Sequence, residues 1–206
     1  MTTKYGFPNV REALVEDLKG AYPTKWEDFQ AARVLGEDIF GSPKPHPNAV
    51  LNLFLKQNIK FALPFAAYRA CLGGFPALVS DGSGTALPRL TLAFIIRGMG
   101  AMNRLTMLTA CGIAYMRDLG VCADRSCVLS TGIDSTEARR GVLKEIFNVM
   151  VKQSERDMLV SPSLGANVRV CMNCASHMEG LHLIHRKGLV WAALPSLLGW
   201  ESWEGV

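Results

Sequence analysis

Four cysteines stand in two pairs, Cys122-x4-Cys127 and Cys171-x2-Cys174, with 43 residues (128–170) between the pairs. Zinc takes about four soft or borderline ligands in a tetrahedron, and a Cys-x2-Cys turn can place two thiolates on one ion. A second knuckle would complete the site. Both pairs fall in loop-like sequence or at a helix start, where the backbone can turn around an ion. The intervening segment contains an amphipathic helix over 137–153, so a zinc ion here would clip both ends of that helix to the start of the last one. The first pair is spaced more loosely than the common x2 knuckle. Two other readings therefore stay open: four small buried apolar residues, or a thiol-redox pair at Cys171-x2-Cys174. A cysteine pair at a helix N-terminus is also the thioredoxin arrangement. That fold needs a strand before the motif and a central sheet, and "LGANVRV" is a weak strand.

Three of the four histidines follow within "CMNCASHMEGLHLIHR" and compete as ligands. A helix rises about 1.5 Å per residue, which puts His182 about 12 Å and His185 about 16 Å from Cys174 along the axis. Neither can share its ion. His177, three residues past Cys174, is the reserve ligand. His182 and His185 read as surface or half-buried residues. Cys71 ("YRACLGG") and Cys111 ("LTACGIA") sit in apolar helical stretches and read as core. No catalytic residue and no cofactor-binding loop emerges. "GSG" at 82–84 lacks the strand and helix of a nucleophile elbow, and "GMG" at 98–100 lacks the further glycine of a dinucleotide loop. Glu12, Glu16, Glu27 and Asp28 fall on solvated faces.

The elements that would position these cysteines are helical almost throughout. Pro8 suits a helix start and Gly20 a stop, with Val10, Leu14 and Leu18 on one stripe. Thr24 and Glu27 have capping-box spacing ahead of a helix that turns Trp26, Phe29 and Val34 or Leu35 inward. "GSPKPHPN" (41–48) is a proline-rich break, and Pro47 opens the next helix. "LPFAAYRACLGG" gives another, ended by Gly73 and Gly74. "SDGSGTALP" (80–88) is a loop. Residues 90–116 are the most apolar stretch and predict two helices, 89–102 and 106–119, in a buried hairpin. Val142, Leu143, Ile146, Phe147, Met150 and Val151 make one wide apolar helix face. The last helix is predicted over 175–193. Strand signals are confined to "PALVS" and "NVRVC", with a small hairpin conceivable at 168–170. The fold class is all-α, an irregular multi-helix array with a small zinc-stapled C-terminal subdomain. A division into 1–120 and 121–206 is expected, or one continuous domain.

Composition narrows the function. The chain has 206 residues, of which 49% are apolar and 19% charged, a globular balance. Net charge is +4 and the basic residues are scattered, short of the basic face a nucleic-acid binder presents. Arg139, Arg140, Arg186 and Lys187 are the densest basic spots. Arg97 and Arg104 interrupt the apolar 90–116 stretch, so no membrane span is expected. The N-terminal residues carry acids and no apolar h-region, and six cysteines without a secretory signal imply a reducing compartment, cytoplasmic or nuclear.

Several segments are similar to a known family: "KYGFPNVREALVEDLKGAYPTKWEDF", "HPNAVLNLFLKQNIKFALPFAAYRAC" and "CMNCASHMEGLHLIHRKGLVWAALPSLLGW". They resemble the helical region that follows the BTB domain in fungal BTB/POZ-domain proteins. The ordered features are Lys4-Tyr5, Tyr22-Pro23, Leu63-Pro64 through Tyr68, the two cysteine pairs, His182, Arg186, and Trp191 with Leu194-Pro195. The resemblance implies an α-helical, protein-binding region with no catalytic residues to carry over. The BTB domain of such proteins would precede residue 1, so BTB dimerisation and ubiquitin-ligase scaffolding do not transfer. The expectation is a non-enzymatic, adaptor-like domain with a structural zinc site and a protein partner. It has no membrane or small-molecule substrate. The alternative is a thiol-redox or metal-dependent enzyme using Cys171 and Cys174.

Overall fold

The computed structural model describes residues 8–35, 45–72, 78, 87–114, 122, 127, 136–156, 159, 164, 168 and 170–203. Among them the chain is helical, with no strand beyond an isolated bridge residue at Cys122. In chain order come α1 (Pro8–Ala21), α2 (Trp26–Leu35), α3 (Pro47–Gln57), a 3-10 turn (Lys60–Ala62), α4 (Leu63–Leu72), α5 (Arg89–Ala114), α6 (Thr136–Arg156), α7 (Met172–His185), a π-helical turn (Arg186–Trp191) and α8 (Ala192–Leu197). The all-α expectation holds. The chain forms two compact units, Met1–Met99 with Leu194–Val206, and Gly100–Ala193. A cut at residue 120 follows neither boundary.

The first unit is built on an aromatic core. Tyr22 meets Phe54 edge-on at 4.7 Å between ring centroids, and Phe65 packs against Tyr22, Phe29 and Tyr68 at 5.7 to 6.1 Å. Edge-to-face aromatic contacts of this kind add about 0.5–1.5 kcal/mol beyond area burial. Burial pushes the Tyr22 phenol up to about 12, with Arg69 pulling the other way. Local sequence explains the placement of α3. His46 accepts the Asn48 N–H on its Nδ1 at 3.3 Å, and Pro47 opens the first turn, where its missing N–H is harmless. Asn58 ends α3 at φ 53, with its N–H on Leu55 O and the Ile59 N–H on Phe54 O. This is a Schellman end built on asparagine instead of glycine.

The C-terminal end repeats that device. Gly199 at φ +91 sends its N–H to Ser196 O, and Trp200 sends its N–H to Pro195 O. Gly199 also lies against the Phe94 ring, and Gly98 lies against the Leu197 carbonyl and the Leu198 side chain. Glycine is required at both places. A Cβ at Gly98 would stand 2.6 Å from the Leu197 oxygen.

The second unit has its own core. Ile146, Met150 and Val142 of α6 pack with Ala110, Leu164, Val168, Ala175, Met178 and Cys127. Leu143, Phe147 and Val151 flank them, as the amphipathic face of α6 predicts.

Four expectations are corrected. Residues 89–114 form one helix in place of a hairpin. "MNRLT" (102–106) carries no residue that stops a helix, and Gly98 and Gly100 are absorbed within it. Leu14 is 50% exposed, so the α1 stripe does not turn it inward. Val10 and the side chains of Val34 and Leu35 lie outside the residues whose burial is described. The last helix begins at Met172, three residues earlier than its apolar periodicity predicts, because Cys171 caps it. Among the described residues no strand forms at Val168 or Val170, where the sequence makes a small hairpin conceivable. There the Val170 N–H returns to Val168 O at 2.8 Å, a γ-turn pattern. Half of the 41–48 break (41–44) and most of the 80–88 loop (80–86) lie outside the described residues. No helix among the described residues is long and apolar enough to cross a membrane.

Candidate metal centre

Cys171 is the N-cap of α7. Its backbone is extended (φ −69, ψ 160), and its carbonyl accepts the Ala175 N–H at 3.0 Å to start the helix. Cys174 sits three residues on, in the first helical turn. A Cys-x2-Cys pair at this position puts one sulfur on the non-helical cap residue and the other on the turn above it. The N-terminal turn also carries exposed N–H groups and positive partial charge, which favours thiolates.

Cys122 and Cys127, which precede α6 in the chain, meet these two. The Sγ atoms of Cys122 and Cys171 are 3.4 Å apart, and those of Cys127 and Cys174 are 3.8 Å apart. All four sulfurs lie within 4.8 Å of one another. Four thiolates around zinc at about 2.3 Å would stand about 3.8 Å apart in a tetrahedron. The cluster therefore has the size to hold one metal ion. The Cys171 N–H also donates to the Cys127 Sγ at 3.5 Å, the kind of backbone support that orients a thiolate ligand. The cluster is continuous with the core of its unit: Cys127 is 2% exposed within it, and Cys122, Cys171 and Cys174 pack against it. All six cysteines of the chain are free of disulfides.

The thiols do not share one environment. The Cys174 backbone N–H, close to the Cys171 sulfur without completing a cap hydrogen bond, pulls the Cys171 thiol down to about 7, and the Cys122 thiol adds to this. Burial pushes the Cys174 thiol far up, and its three sulfur neighbours push in the same direction. Four sulfurs at contact distance cannot all ionise without a cation between them. Their titrations belong to the cluster as a whole. Cys71, by contrast, is a buried thiol raised to about 12 and inert in its helix.

His177, the reserve ligand, is exposed on α7 and is not a member of the sulfur cluster. His182 differs from expectation. It is 4% exposed, inside the second unit, and its Nδ1 has no hydrogen-bond partner. Burial lowers its pKa to about 3, with Arg186 and His185 contributing repulsion. Arg186 is 3% exposed and so is not available to a phosphate backbone. Its Nε donates to His182 O at 3.3 Å and its guanidinium also donates to Leu159 O. Glu179 of α7 accepts the Leu164 N–H at 2.8 Å, so Leu164 is held by α7 and Leu159 by Arg186 of the π-helical turn.

Sequence reasoning missed His182 and Arg186 as interior residues, although a signal was present. Within the second unit, buried positions recur every four residues at Met178, His182, Arg186 and Val190. A step of four residues overshoots a regular α-helical turn by about 40°, so the stripe should wind away. The π-helical turn, with Ala192 N–H bonded to Lys187 O, holds more residues per turn and keeps the stripe aligned. Compared with family models, curated proteins and solved structures, the chain matches none.

Proposed function

We propose that Cys122, Cys127, Cys171 and Cys174 bind one structural zinc ion, and that the chain is a non-enzymatic, adaptor-like helical domain whose partner is another protein. The observation that carries the zinc reading is the convergence, within 4.8 Å, of four sulfurs from two cysteine pairs whose nearest members, Cys127 and Cys171, are 44 residues apart. A set of four thiolates fills a tetrahedral ion and leaves no open position for substrate, which suits a structural role. Thiolate donors also favour zinc over the hard cations magnesium and calcium.

The protein-binding half is supported by the resemblance to the helical region of BTB/POZ-domain proteins. An intracellular setting, cytoplasmic or nuclear, suits a cluster that works as reduced thiolates and belongs to the same reading.

Elemental analysis of the purified chain tests the zinc reading. One zinc per chain is expected, and a strong chelator should lower the thermal midpoint and the helical signal. Metal-free protein with the same melting curve, with or without chelator, overturns it. Rapid alkylation of Cys171 or Cys174 in zinc-loaded protein would instead favour thiol-redox chemistry, because closed-site ligands are shielded.

A further inference from the structure

The geometry assigns Cys122 and Cys171 as the pair that a peroxide closes into a disulfide, ahead of the sequence neighbours Cys171 and Cys174, with release of any ion the four sulfurs hold. The release half rests on the zinc reading. The choice of pair does not.

Three observations select this pair. Their sulfurs are 3.4 Å apart, closer than the 3.8 Å between Cys127 and Cys174. A disulfide needs about 2.05 Å, so closure asks for a movement of about 1.4 Å. Both residues are half-buried, whereas Cys127 is enclosed in the core at 2% exposure. Cys171 is also the cap residue, whose extended backbone leaves its side chain outside the helical ladder, while Cys174 is fixed within the first turn.

The chemistry balances with a peroxide as oxidant. The thiolate of one residue attacks a peroxide oxygen, the O–O bond breaks, and hydroxide leaves, giving a sulfenic acid. The second thiolate attacks that sulfur, the S–S bond forms, the S–O bond breaks, and a second hydroxide leaves. The two sulfurs together lose two electrons, which the peroxide gains. Two protons turn the hydroxides into water: they come from the thiols themselves in the metal-free chain, and from the solvent where an ion had already displaced them. An ion held by the four sulfurs would lose two of its ligands in this step. Cys127 and Cys174 are then left as a second pair at 3.8 Å for a further equivalent of oxidant.

The product differs in kind from a local Cys-x2-Cys disulfide. A bond between residues 49 apart keeps the loop before α6 tied to the start of α7 after the ion has gone. Oxidised protein should therefore tolerate chelator better than reduced protein does, since a cross-link closing a loop of this length restricts the unfolded chain.

The test treats the intact chain, as purified, with one equivalent of hydrogen peroxide. Zinc release is followed with a chromogenic chelator, and the disulfides are mapped after trypsin without reduction. Trypsin places Cys122 in peptide 118–125, Cys127 in 126–139, and both Cys171 and Cys174 in 170–186. Most of the first oxidised product should link 118–125 to 170–186, with fragment ions assigning Cys171. Cys171→Ser should abolish this link and Cys174→Ser should keep it. If either variant fails to fold, the wild-type map decides alone. A dominant bond within 170–186, a first link from 126–139, or thiols inert to peroxide overturns the assignment. Zinc release accompanied by a bond within 170–186 overturns the pairing and leaves the zinc reading standing. The expected link in protein that never held zinc does the reverse.

Discussion

The backbone N–H of Cys171 donates to the Sγ of Cys127 at 3.5 Å, across 44 residues of chain. The same Cys127 sulfur is 3.8 Å from Cys174 and belongs to the apolar core that Ile146, Met150 and Met178 form. One buried sulfur thus joins the loop before α6, the cap of α7 and the core between them.

Cys127→Ser should accordingly be the most damaging single change in the cluster. It removes a ligand, and it puts a hydroxyl into a site that is 2% exposed. Zinc affinity should fall by more than the roughly 10–100-fold typical of losing an outer-shell partner. Competition titration with a zinc indicator measures this. Affinity in the wild type should also fall with pH. Ligand thiols must be deprotonated, so the stability that the ion contributes is greatest at high pH and fades as protons compete at low pH. A Cys127→Ser chain that binds zinc as tightly as wild type would remove the cluster from consideration as a metal site.

His182 makes a second, independent prediction. Its folded-state pKa is depressed to about 3, from 6.5 in the unfolded chain. Between those values the unfolded state binds a proton that the native state refuses. Stability is therefore fully present above about pH 6.5 and falls as the pH drops toward 3, by at most about 1.4 kcal/mol per pH unit. His182→Leu removes this proton uptake and also an unpartnered buried Nδ1. From pH 7 to pH 5 the variant should lose about 2 kcal/mol less than wild type. Urea unfolding at the two pH values reads the difference. Parallel losses in both proteins would mean that His182 is hydrated or already charged.

Two glycines of α5 should respond in opposite directions to alanine. Gly98→Ala drives a methyl group to 2.6 Å from the Leu197 carbonyl oxygen and 2.7 Å from Leu198. The backbone must move, at about 1–3 kcal/mol. Gly100 is exposed, with open space at its Cβ position, so Gly100→Ala should stabilise the helix by up to about 1 kcal/mol. Thermal melts of the two variants make the comparison, and a neutral Gly98→Ala would contradict the close packing of α5 against the C-terminal turn.

Much of this architecture was legible because local signals agreed with one another. Pro47 opens α3 where its missing N–H is harmless, and the apolar face of α6 matches its buried residues. The cysteine pairing was legible from ligand chemistry, since Cys-x2-Cys at a helix start suggests a partner pair elsewhere. The rest depended on packing. His182 and Arg186 are polar residues that a pattern reading assigns to the surface, and only the four-residue spacing of the buried stripe through the π-helical turn reveals otherwise. The continuity of α5 was hidden for a related reason. Glycine usually weakens a helix, but at Gly98 the missing side chain is what lets the C-terminal turn approach. Leu14 shows the converse: its spacing fits a buried stripe, yet it stands in solvent.

The separation of the two cysteine pairs also bears on the order in which the chain folds. Cys171 and Cys174 are neighbours in sequence, whereas Cys122 and Cys171 are 49 residues apart. Closing a loop of that size carries an entropic penalty that grows only with the logarithm of its length. An ion captured first by the local pair would meet the distant pair as a tethered partner, at an effective concentration set by the intervening chain. Helix α6 forms from local contacts in the meantime. Refolding should then show helix formation that is independent of zinc concentration, followed by a slower, zinc-dependent phase in which the core around Met150 and Met178 consolidates.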